Sequence, residues 1–422
     1  MTPIKIVHAA DLHLDSPLSG LERYEGAPVH RIRGATRAAL VNLVDLALDE
    51  AASLVLLAGD LFDDDWKDYS TALYFRAQMR RLADAQVNVV WLRGNHDAAS
   101  QLQKHLDLPE TVFELPYKQA DSKIFEQLGV VVHGQGFATR SVVDNLALSY
   151  PEPLSGMLNI GLLHTSVTGR EGHAPYAPCV LSDLVNKGYD YWALGHVHQR
   201  EVLCEDPWVV FPGNMQGRHV REPGDKGATL IEVVDGRITS VEHRALDVVR
   251  FGICRVDASA ARSMDQVLGS VRDALRAEVS AAEGRLVASR IVIEGATESH
   301  GELARDPERF VAEIRASASE IGGDDLWIEK ICLLTRDVID LGHVRLRDDA
   351  IGQVFRGLSS LRESDAGRVE LAAELATLGS KLPPPLRSGP LALGWEASAG
   401  LDALLDDVEQ LLLSRLAHAG EP

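Results

Sequence analysis

Over residues 1–245, short apolar segments typical of buried β-strands alternate with longer segments whose apolar residues recur at helical spacing. Strand-like examples are "IKIVHAAD" and "SLVLLAGD", and helix-like examples are "VHRIRGATRAALVNLVDLALDEAA" and "STALYFRAQMRRLADA". The alternation continues to "YDYWALGHVH", after which strand-like segments follow one another around an Asp235-Gly236 turn. This pattern predicts layered α/β structure, with strands alone added at its end.

The chain has 422 residues, which is too long for one ordinary core and predicts two or three domains. We place the first domain at residues 1–245. Residues 246–338 form a β-α-β-α-β pattern, which predicts a small separate α+β domain. Residues 339–422 are helix-like with a Pro/Gly-rich break at 381–390, and the last helix has an apolar stripe over 401–416.

Composition narrows the class of protein. The chain is 45% hydrophobic and 25% charged, and it contains no apolar run near the ~18 residues that a membrane helix needs. The first residues lack the pattern of a secretory signal, and the four cysteines lie far apart without a CxxC spacing. These features predict a cytoplasmic protein with reduced thiols and no membrane contact. The formal net charge of −20 counts against tight DNA binding by this chain alone.

Side chains able to bind metals follow five of the strand-like segments, each where the segment ends. They are Asp11 and His13, then Asp60, then Asn95, His96 and Asp97, then His164, and finally His196 and His198. A lone His-x-His is usually a loop feature and a lone Gly-Asp a turn, so only the joint occurrence is informative. Because the carboxyl ends of strands in an α/β sheet meet at one crevice, the five clusters are expected to converge. Mixed carboxylate, amide and imidazole ligands suit Mn²⁺, Fe²⁺ or Zn²⁺ better than Ca²⁺.

The segments "DLHLD", "GDLFD", "GNHD", "LLHTS" and "GHVHQ" resemble, in this order, the five motifs of calcineurin-like metallophosphoesterases. The longer segments "AADLHLDSPL", "HTSVTGREGHAPYAPC" and "YDYWALGHVHQREVL" are similar to the DNA-repair nuclease branch, which includes the D subunit of the SbcCD nuclease and YhaO-type relatives. The resemblance covers roughly residues 1–245. It implies an α/β/β/α sandwich with a dimetal phosphoesterase site, followed by a small α+β capping domain and C-terminal helices.

The resemblance also implies a role for each candidate side chain. Asp60 would bridge two divalent ions. The other ligands would divide into one set of Asp11, His13 and His198 and a second set of Asn95, His164 and His196. His96 would act as a general acid oriented by Asp63, although Asp63 could instead be a helix N-terminal residue in an acidic run. Mn²⁺ is the expected metal, with Fe²⁺, Zn²⁺ and Co²⁺ as alternatives.

A pair of divalent ions defines the expected reaction. Such ions lower the pKa of water from about 15.7 to about 7 and neutralise charge on phosphate oxygens. No serine or cysteine motif in the sequence indicates a covalent intermediate. The expected reaction is therefore the direct hydrolysis of a phosphodiester.

The sequence leaves the substrate open. One hypothesis is a DNA exo- or endonuclease that acts in repair with an SMC-like ATPase, which the long extension 246–422 favours. Basic clusters at 30–37, 75–81 and 217–221, together with Arg93, also favour DNA, although such charge is as often a solvated face. The net charge favours a phosphoesterase for nucleotides or other small phosphodiesters. A scaffold without activity is disfavoured by the complete ligand set, and a homodimer is left open.

Two C-terminal segments carry apolar residues at helical spacing, the last helix and "RVELAAELATLGSKL". Short helices of this kind must bury these residues against something. They either pack on each other or on the small domain, or they bind the coiled coil of an SMC-like ATPase, as the resemblance implies. The break at 381–390 suits a hinge in the second arrangement.

Overall fold

The computed structural model describes residues 3–18, 21, 26–63, 69–99, 107–167, 176–338, 341–382 and 398–416. The chain divides into two compact units. The first contains Met1–Ile253, Val279–Ser289 and Asp324–Glu329, and the second contains Cys254–Glu278, Arg290–Gly323 and Lys330–Pro422. The domain boundaries after residues 245 and 338 stay predictions, and most of the break at 381–390 lies outside the described residues.

The first unit contains most of the strands. In chain order its elements are β1 (Ile4–Ala9), α1 (Val29–Asp49), β2 (Leu54–Leu57), α2 (Tyr69–Asp84), β3 (Asn88–Trp91), β4 (Val112–Glu114), β5 (Asp121–Phe125), β6 (Val130–Gly134), β7 (Leu158–His164), α3 (Leu181–Val185), β8 (Tyr191–Gly195), β9 (Glu201–Glu205), β10 (Trp208–Phe211), β11 (Gly227–Val234) and β12 (Arg237–Ala245). They form two six-stranded sheets, ordered β12-β11-β1-β2-β3-β4 and β5-β6-β7-β8-β10-β9. In each sheet the central neighbours are parallel: β1 to β4 in the first, and β6, β7, β8 and β10 in the second.

The two sheets pack face to face through apolar side chains, and helices cover their outer faces. Ile6 and Leu56 of the first sheet share a buried cluster with Ile160 and Val210 of the second. A second cluster joins the outer face of the first sheet to α1 and α2, and a third covers the outer face of the second sheet beside α3. The predicted α/β/β/α sandwich is therefore confirmed.

Local sequence explains these elements. In α1 the buried side chains recur three or four residues apart, from Ile32 through Leu40 to Ala47, so that one face meets the sheet. β2 and β8 are buried along their whole length, as expected for central parallel strands covered on both faces. These continuous apolar runs end where the polar motifs begin, which places the motifs at the edge of the sandwich.

The remaining elements are β13 (Val249–Asp257), α4 (Met264–Ala281), β14 (Leu286–Ala296), α5 (His300–Arg305), α6 (Pro307–Gly322), β15 (Leu326–Arg336), α7 (Leu341–Arg345), α8 (Ala350–Glu363), α9 (Asp365–Gly379) and α10 (Ser398–Leu416). β13, β14 and β15 form a three-stranded sheet in that order. Within the described residues, no helix has both the length and the hydropathy needed to cross a bilayer.

The last helix packs inside the second unit. Leu413 of α10 shares a buried cluster with Phe355 of α8 and Val344 of α7, and Arg345 donates to the buried Glu409 at 2.8 Å. In α9, by contrast, none of the side chains is buried. Of the two apolar segments noted in the sequence, the stripe on α10 is thus partly covered by neighbouring helices, whereas the side chains of α9 are half-buried or exposed.

Candidate metal centre

The candidate side chains converge at one edge of the sandwich, at the carboxyl ends of strands from both sheets. β1, β2 and β3 lead into the loops that carry Asp11 and His13, then Asp60, then Asn95 and His96. In the second sheet, β7 ends on His164, and His196 and His198 follow β8 directly. The structure therefore brings together side chains that are far apart in the sequence.

Three overlapping groups of these side chains each place one ligand atom per residue within 4.8 Å of the others. The groups are Asp11, His13 and His198; His13, Asp60 and His96; and Asp60, His164 and His196. Asp60 Oδ2 lies 3.9 Å from His13 Nε2 and 3.5 Å from His164 Nε2. A carboxylate between two sets of imidazoles can bridge two cations. The assignment of each ligand to one ion stays a prediction.

The His13–His198 half of the site, formed by Asp11, His13 and His198, is oriented by carboxylates. His13 Nδ1 lies 2.6 Å from Asp63 Oδ1, and His198 Nδ1 lies 2.7 Å from Glu222 Oε1. An ionised carboxylate only accepts hydrogen bonds, so each ring donates its Nδ1 hydrogen and keeps a lone pair on Nε2. The two Nε2 atoms face each other at 3.2 Å. Two lone pairs this close repel each other unless a cation or proton lies between them, so the pair fits a divalent ion.

In the His164–His196 half, formed by Asn95, His164 and His196, the ring of His164 is oriented by the backbone instead. His164 Nδ1 donates to the carbonyl oxygen of Ala58 at 2.9 Å, which again leaves a lone pair on Nε2. This Nε2 lies 2.9 Å from Asn95 Oδ1, a second acceptor, and the ring centroids of His164 and His196 are 5.2 Å apart. Two acceptors at this distance also fit a cation.

The backbone holds several of these residues in a conformation that side-chain-bearing residues rarely adopt. φ is positive at Asp11 (52°), His13 (43°), Asp60 (52°) and His196 (101°). Such conformations cost about 1–3 kcal/mol each and persist only where the surrounding structure enforces them. At His196 the backbone N–H donates to both carboxylate oxygens of Asp11, at 3.0 and 3.2 Å. One candidate ligand therefore holds the backbone of another.

Glycines of the motifs are required because chain segments approach closely. A Cβ on Gly94 would lie 2.2 Å from Asp60 Oδ1, and a Cβ on Gly195 would lie 1.9 Å from the carbonyl oxygen of Ala58. That carbonyl is the one that accepts the hydrogen bond from His164. Only a residue without a side chain fits at either position.

Burial sets the protonation of the site. It raises the pKa of Asp60 to about 6 and that of Asp97 to about 7, and it also raises the pKa of Asp11. Burial lowers the pKa of both His13 and His164 to about 3, so these imidazoles are neutral near pH 7 and can bind a metal. Divalent cations are the counter-charge that would keep several buried carboxylates ionised together.

His96 lies at the mouth of the site. Its side chain is 29% exposed, whereas those of His13 and His164 are at most 1% exposed. Its backbone N–H donates to Asp60 Oδ1 at 2.9 Å, and its ring lies edge-on to His13 at 4.9 Å. A position beside the candidate ligands but open to solvent is compatible with the predicted general acid.

Asp63 lies near both His13 and His96, the partner that the resemblance implied, and it is closer to His13. Its Oδ1 lies 2.6 Å from His13 Nδ1 but 3.6 Å from His96 Nδ1, which is too far for a hydrogen bond. The alternative of a helix N-terminal position depends on residues 64–68, which lie outside the described residues, so it stays a prediction. In this structure Asp63 orients His13, and no hydrogen bond supports an orienting role toward His96.

Asp97 ties two loops of the site together. Its fully buried carboxylate accepts hydrogen bonds from the backbone N–H groups of Leu61, Phe62 and Gly94. These bonds join the loop after β2 to the loop after β3. The last residue of "GNHD" thus holds the loops that carry candidate ligands.

Sequence reasoning missed Glu222 and Arg218 as partners of the site. It placed Arg218 in the basic cluster 217–221, yet this side chain is only 17% exposed and donates to Glu222 at 3.1 Å. Glu222 in turn contacts His198 across more than twenty residues of sequence. The acidic residue inside "GRHVREP" was the only local signal, and it does not indicate a long-range partner.

Arginines of the basic clusters are largely paired with carboxylates. The pairs within 3.3 Å are Arg31–Asp325, Arg37–Asp15, Arg76–Asp107, Arg80–Asp84, Arg81–Asp45, Arg93–Glu114 and Arg218–Glu222. These pairs reduce the positive charge available to a nucleic acid. The clusters therefore give less support to DNA binding than the sequence indicated.

Two known families match separate parts of the chain. The family described as "Calcineurin-like phosphoesterase" matches residues 4–200, and the family described as "Metallophosphoesterase YhaO, middle domain" matches residues 251–336. A dimetal phosphatase from Danio rerio aligns over 58% of this chain and 96% of its own, with 12% identity and a TM-score of 0.36.

Two curated relatives illustrate the range of similarity. The chain is 25% identical over 271 residues to the DNA double-strand break repair protein Mre11 of Sulfurisphaera tokodaii, covering 59% of this chain and 64% of that protein. It is 36% identical over 299 residues to the uncharacterized metallophosphoesterase YhaO of Bacillus subtilis, covering 70% of this chain and 72% of that protein. With this relative and the match at residues 4–200, the chain belongs to the calcineurin-like metallophosphoesterases.

Proposed function

We propose that this metallophosphoesterase is a two-metal phosphodiesterase that cleaves DNA in repair, with Mn²⁺ as its metal. The observation that carries the metal site is the pair of Nε2 atoms of His13 and His198 at 3.2 Å, each on a ring whose other nitrogen is bonded to a carboxylate. Asp60 between the two halves supports a second ion. The ligand roles given in the sequence analysis are part of this proposal.

The chain's own residues would divide the work of hydrolysis. The ions, when bound, would lower the pKa of water and neutralise charge on the phosphate oxygens. Asp60, the other carboxylates and the buried imidazoles would hold these ions in place beside the phosphate. His96, at the exposed mouth of the site, would give a proton to the leaving oxygen. No covalent bond to the protein is needed.

DNA as substrate is supported by the similarity to proteins named DNA double-strand break repair protein Mre11. The net charge of −20 and the paired arginines argue that this chain needs help to hold DNA. We therefore propose an SMC-like ATPase as a partner in the cytoplasm. α9 offers a surface for its coiled coil, with Val369 71% and Leu378 57% exposed.

A second candidate function is the hydrolysis of nucleotides or other small phosphodiesters. The same acidic charge and the same paired arginines favour it, since a small substrate needs no extended basic surface. The two candidates share the metal centre and differ only in what reaches it.

One assay separates these functions. The metal-free protein is supplied with Mn²⁺ and given bis-p-nitrophenyl phosphate, single-stranded DNA or duplex ends, with EDTA as the control. We expect metal-dependent hydrolysis of the small diester and cleavage of at least one DNA. Hydrolysis of the small diester without any DNA cleavage, with or without the ATPase, would favour the second candidate. A folded protein inert with Mn²⁺, Fe²⁺, Zn²⁺ and Co²⁺ would overturn both.

The proposed partner is tested by co-purification with a candidate SMC-like ATPase. Truncation after residue 340 should leave hydrolysis of the small diester intact and abolish binding. Val369→Asp on α9 should weaken binding, whereas Leu346→Asp, at a position 77% exposed in the same unit, is the matched control. Co-purification of the truncated chain, or its unfolding in a thermal melt, would show that these helices are not a docking surface.

A further inference from the structure

Arg218 lies between two carboxylates that serve the same half of the metal centre. Its Nη2 donates to Glu222 Oε1 at 3.1 Å, and its Nη1 lies 3.9 Å from Asp63 Oδ1. All three side chains are largely buried, with exposed fractions of 17%, 8% and 14% for Arg218, Glu222 and Asp63. One guanidinium therefore contacts both carboxylates away from bulk water.

Each of these carboxylates holds one imidazole. Asp63 accepts from His13 at 2.6 Å, and Glu222 accepts from His198 at 2.7 Å. Outer partners of this kind fix the orientation and the tautomer of a metal-binding histidine. Arg218 thus links the supports of both rings in the His13–His198 half. In the His164–His196 half, His164 is held instead by the carbonyl of Ala58.

Glu222 is fixed from several directions. Its Oε2 accepts from the backbone N–H of Arg218 and from Asn214 Nδ2, both at 2.9 Å, while Oε1 accepts from His198 and from the guanidinium. A carboxylate with this many donors has little freedom to move. Any displacement of Arg218 would therefore be transmitted to His198.

The negative charges of the nearby carboxylates also require a positive side chain at the position of Arg218. Asp11, Asp63 and Glu222 all lie around the same pair of histidines, and Asp11 Oδ1 is 3.8 Å from His198 Nε2. Buried carboxylates placed this close repel one another unless a positive group lies among them. A planar guanidinium can hold two carboxylates in one fixed relation, which a lysine ammonium does less well.

We propose that Arg218, acting through Glu222 and Asp63, is a positioning residue that fixes the His13 and His198 rings and so sets the metal affinity of that half alone. The proposal rests on the proposed two-metal function. It names a residue outside the predicted ligand set and assigns it to one of the two metal positions.

Titration of the metal-free, full-length chain with Mn²⁺ tests this proposal without reference to activity. Wild type should bind two ions. Arg218→Met should weaken one of them about 10- to 100-fold, the usual effect of losing an outer partner of a ligand. Arg218→Lys should restore part of the affinity, because it keeps the charge but not the planar fork. The matched control is Arg250→Met, since Arg250 is also 17% exposed and pairs with Asp247 at 3.0 Å.

Double variants identify the half that is affected. In His164→Ala the remaining ion should occupy the His13–His198 half, so adding Arg218→Met should weaken it by about 10- to 100-fold again. In His198→Ala the remaining ion should occupy the other half, and adding Arg218→Met should change little. The opposite pattern, or equal weakening in both backgrounds, would overturn the assignment to one half.

Thermal melts accompany each titration. If Arg218→Met does not fold, the nearly isosteric Glu222→Gln replaces it and should weaken the same ion. Two ions bound with unchanged affinity by both variants would overturn the positioning role while leaving the metal centre intact. A wild-type chain that binds no divalent ion would overturn the proposed function and this inference together.

Discussion

The two halves of the metal centre are built by different means. In the His13–His198 half, Asp63 and Glu222 orient the rings through charged hydrogen bonds. In the His164–His196 half, the carbonyl of Ala58 orients His164, and the backbone at Gly195 packs against that same carbonyl. One half therefore depends on charge and the other on the path of the backbone.

This difference determines how each half should respond to substitution. A hydrogen bond from a histidine to a carboxylate can be weakened by degrees, because one substitution can remove the charge of the carboxylate and another can change its position. The close contact between Gly195 and the carbonyl of Ala58 cannot be changed by degrees, because any side-chain atom added at Gly195 collides with the main chain. The residue shared by both halves, Asp60, should show the largest effect of all.

Asp60→Asn should affect both halves at once. The change removes the negative charge that lies between the two groups of imidazoles, so both ions should bind more weakly. If the ions contribute several kcal/mol to the reaction, turnover should fall by about 10³-fold. Mn²⁺ titration and hydrolysis of bis-p-nitrophenyl phosphate measure the two effects. An Asp60→Asn chain that keeps one ion at wild-type affinity would place Asp60 in a single half.

His96→Ala should separate chemistry from metal binding. His96 is partly exposed and is expected to act on the leaving oxygen, so its loss should lower turnover by about 10²-fold or more. Both ions should remain bound. His198→Ala is the comparison, since it should weaken one ion. If His96→Ala releases an ion as readily as His198→Ala does, then His96 is a ligand and not the general acid.

Gly195→Ala should damage the backbone-built half. The new Cβ would lie 1.9 Å from the carbonyl oxygen of Ala58, so the segment must shift, at a cost of about 1–3 kcal/mol in the free energy of unfolding. The ion at His164 should weaken with it. Gly34→Ala is the control, because a Cβ there meets nothing within 4 Å in α1 and should stabilise the protein by about 0.5–1 kcal/mol. Equal melts and equal titrations for the two variants would contradict this account.

The fold could be predicted from sequence where the signals are local. The four apolar residues of β2 indicate a buried strand, and the helical spacing of α1 indicates a helix with one buried face. Such segments predicted layered α/β structure, whereas the α/β/β/α sandwich was implied by the resemblance. The division into two units could not be predicted from such local signals. Two segments, Val279–Ser289 and Asp324–Glu329, belong to the first unit although the residues on either side of them belong to the second. No composition change in the sequence indicates such an arrangement.

The candidate ligands could be predicted because each follows an apolar strand, and the ends of parallel strands share one edge. Their outer partners could not. Glu222 reaches His198 through folding of a distant loop, and the positive φ angles of Asp11 and His196 arise from contacts between loops. For Asp63 the resemblance implied one histidine partner, His96, and only the structure places His13 nearer than His96.

Asp63→Asn, with the smallest expected effect, decides between these two histidines. If Asp63 serves His13, the variant should bind one Mn²⁺ about tenfold more weakly, while kcat at saturating Mn²⁺ stays near wild type. If it serves His96 instead, Mn²⁺ affinity should be unchanged and kcat should fall even at saturation, because the general acid would be misoriented. Asp183→Asn, which removes a carboxylate bonded to Asn145 elsewhere in the first unit, is the control for loss of charge. The geometry favours the first result, since a separation of 3.6 Å is too long for His96 Nδ1 to donate a hydrogen bond to this carboxylate.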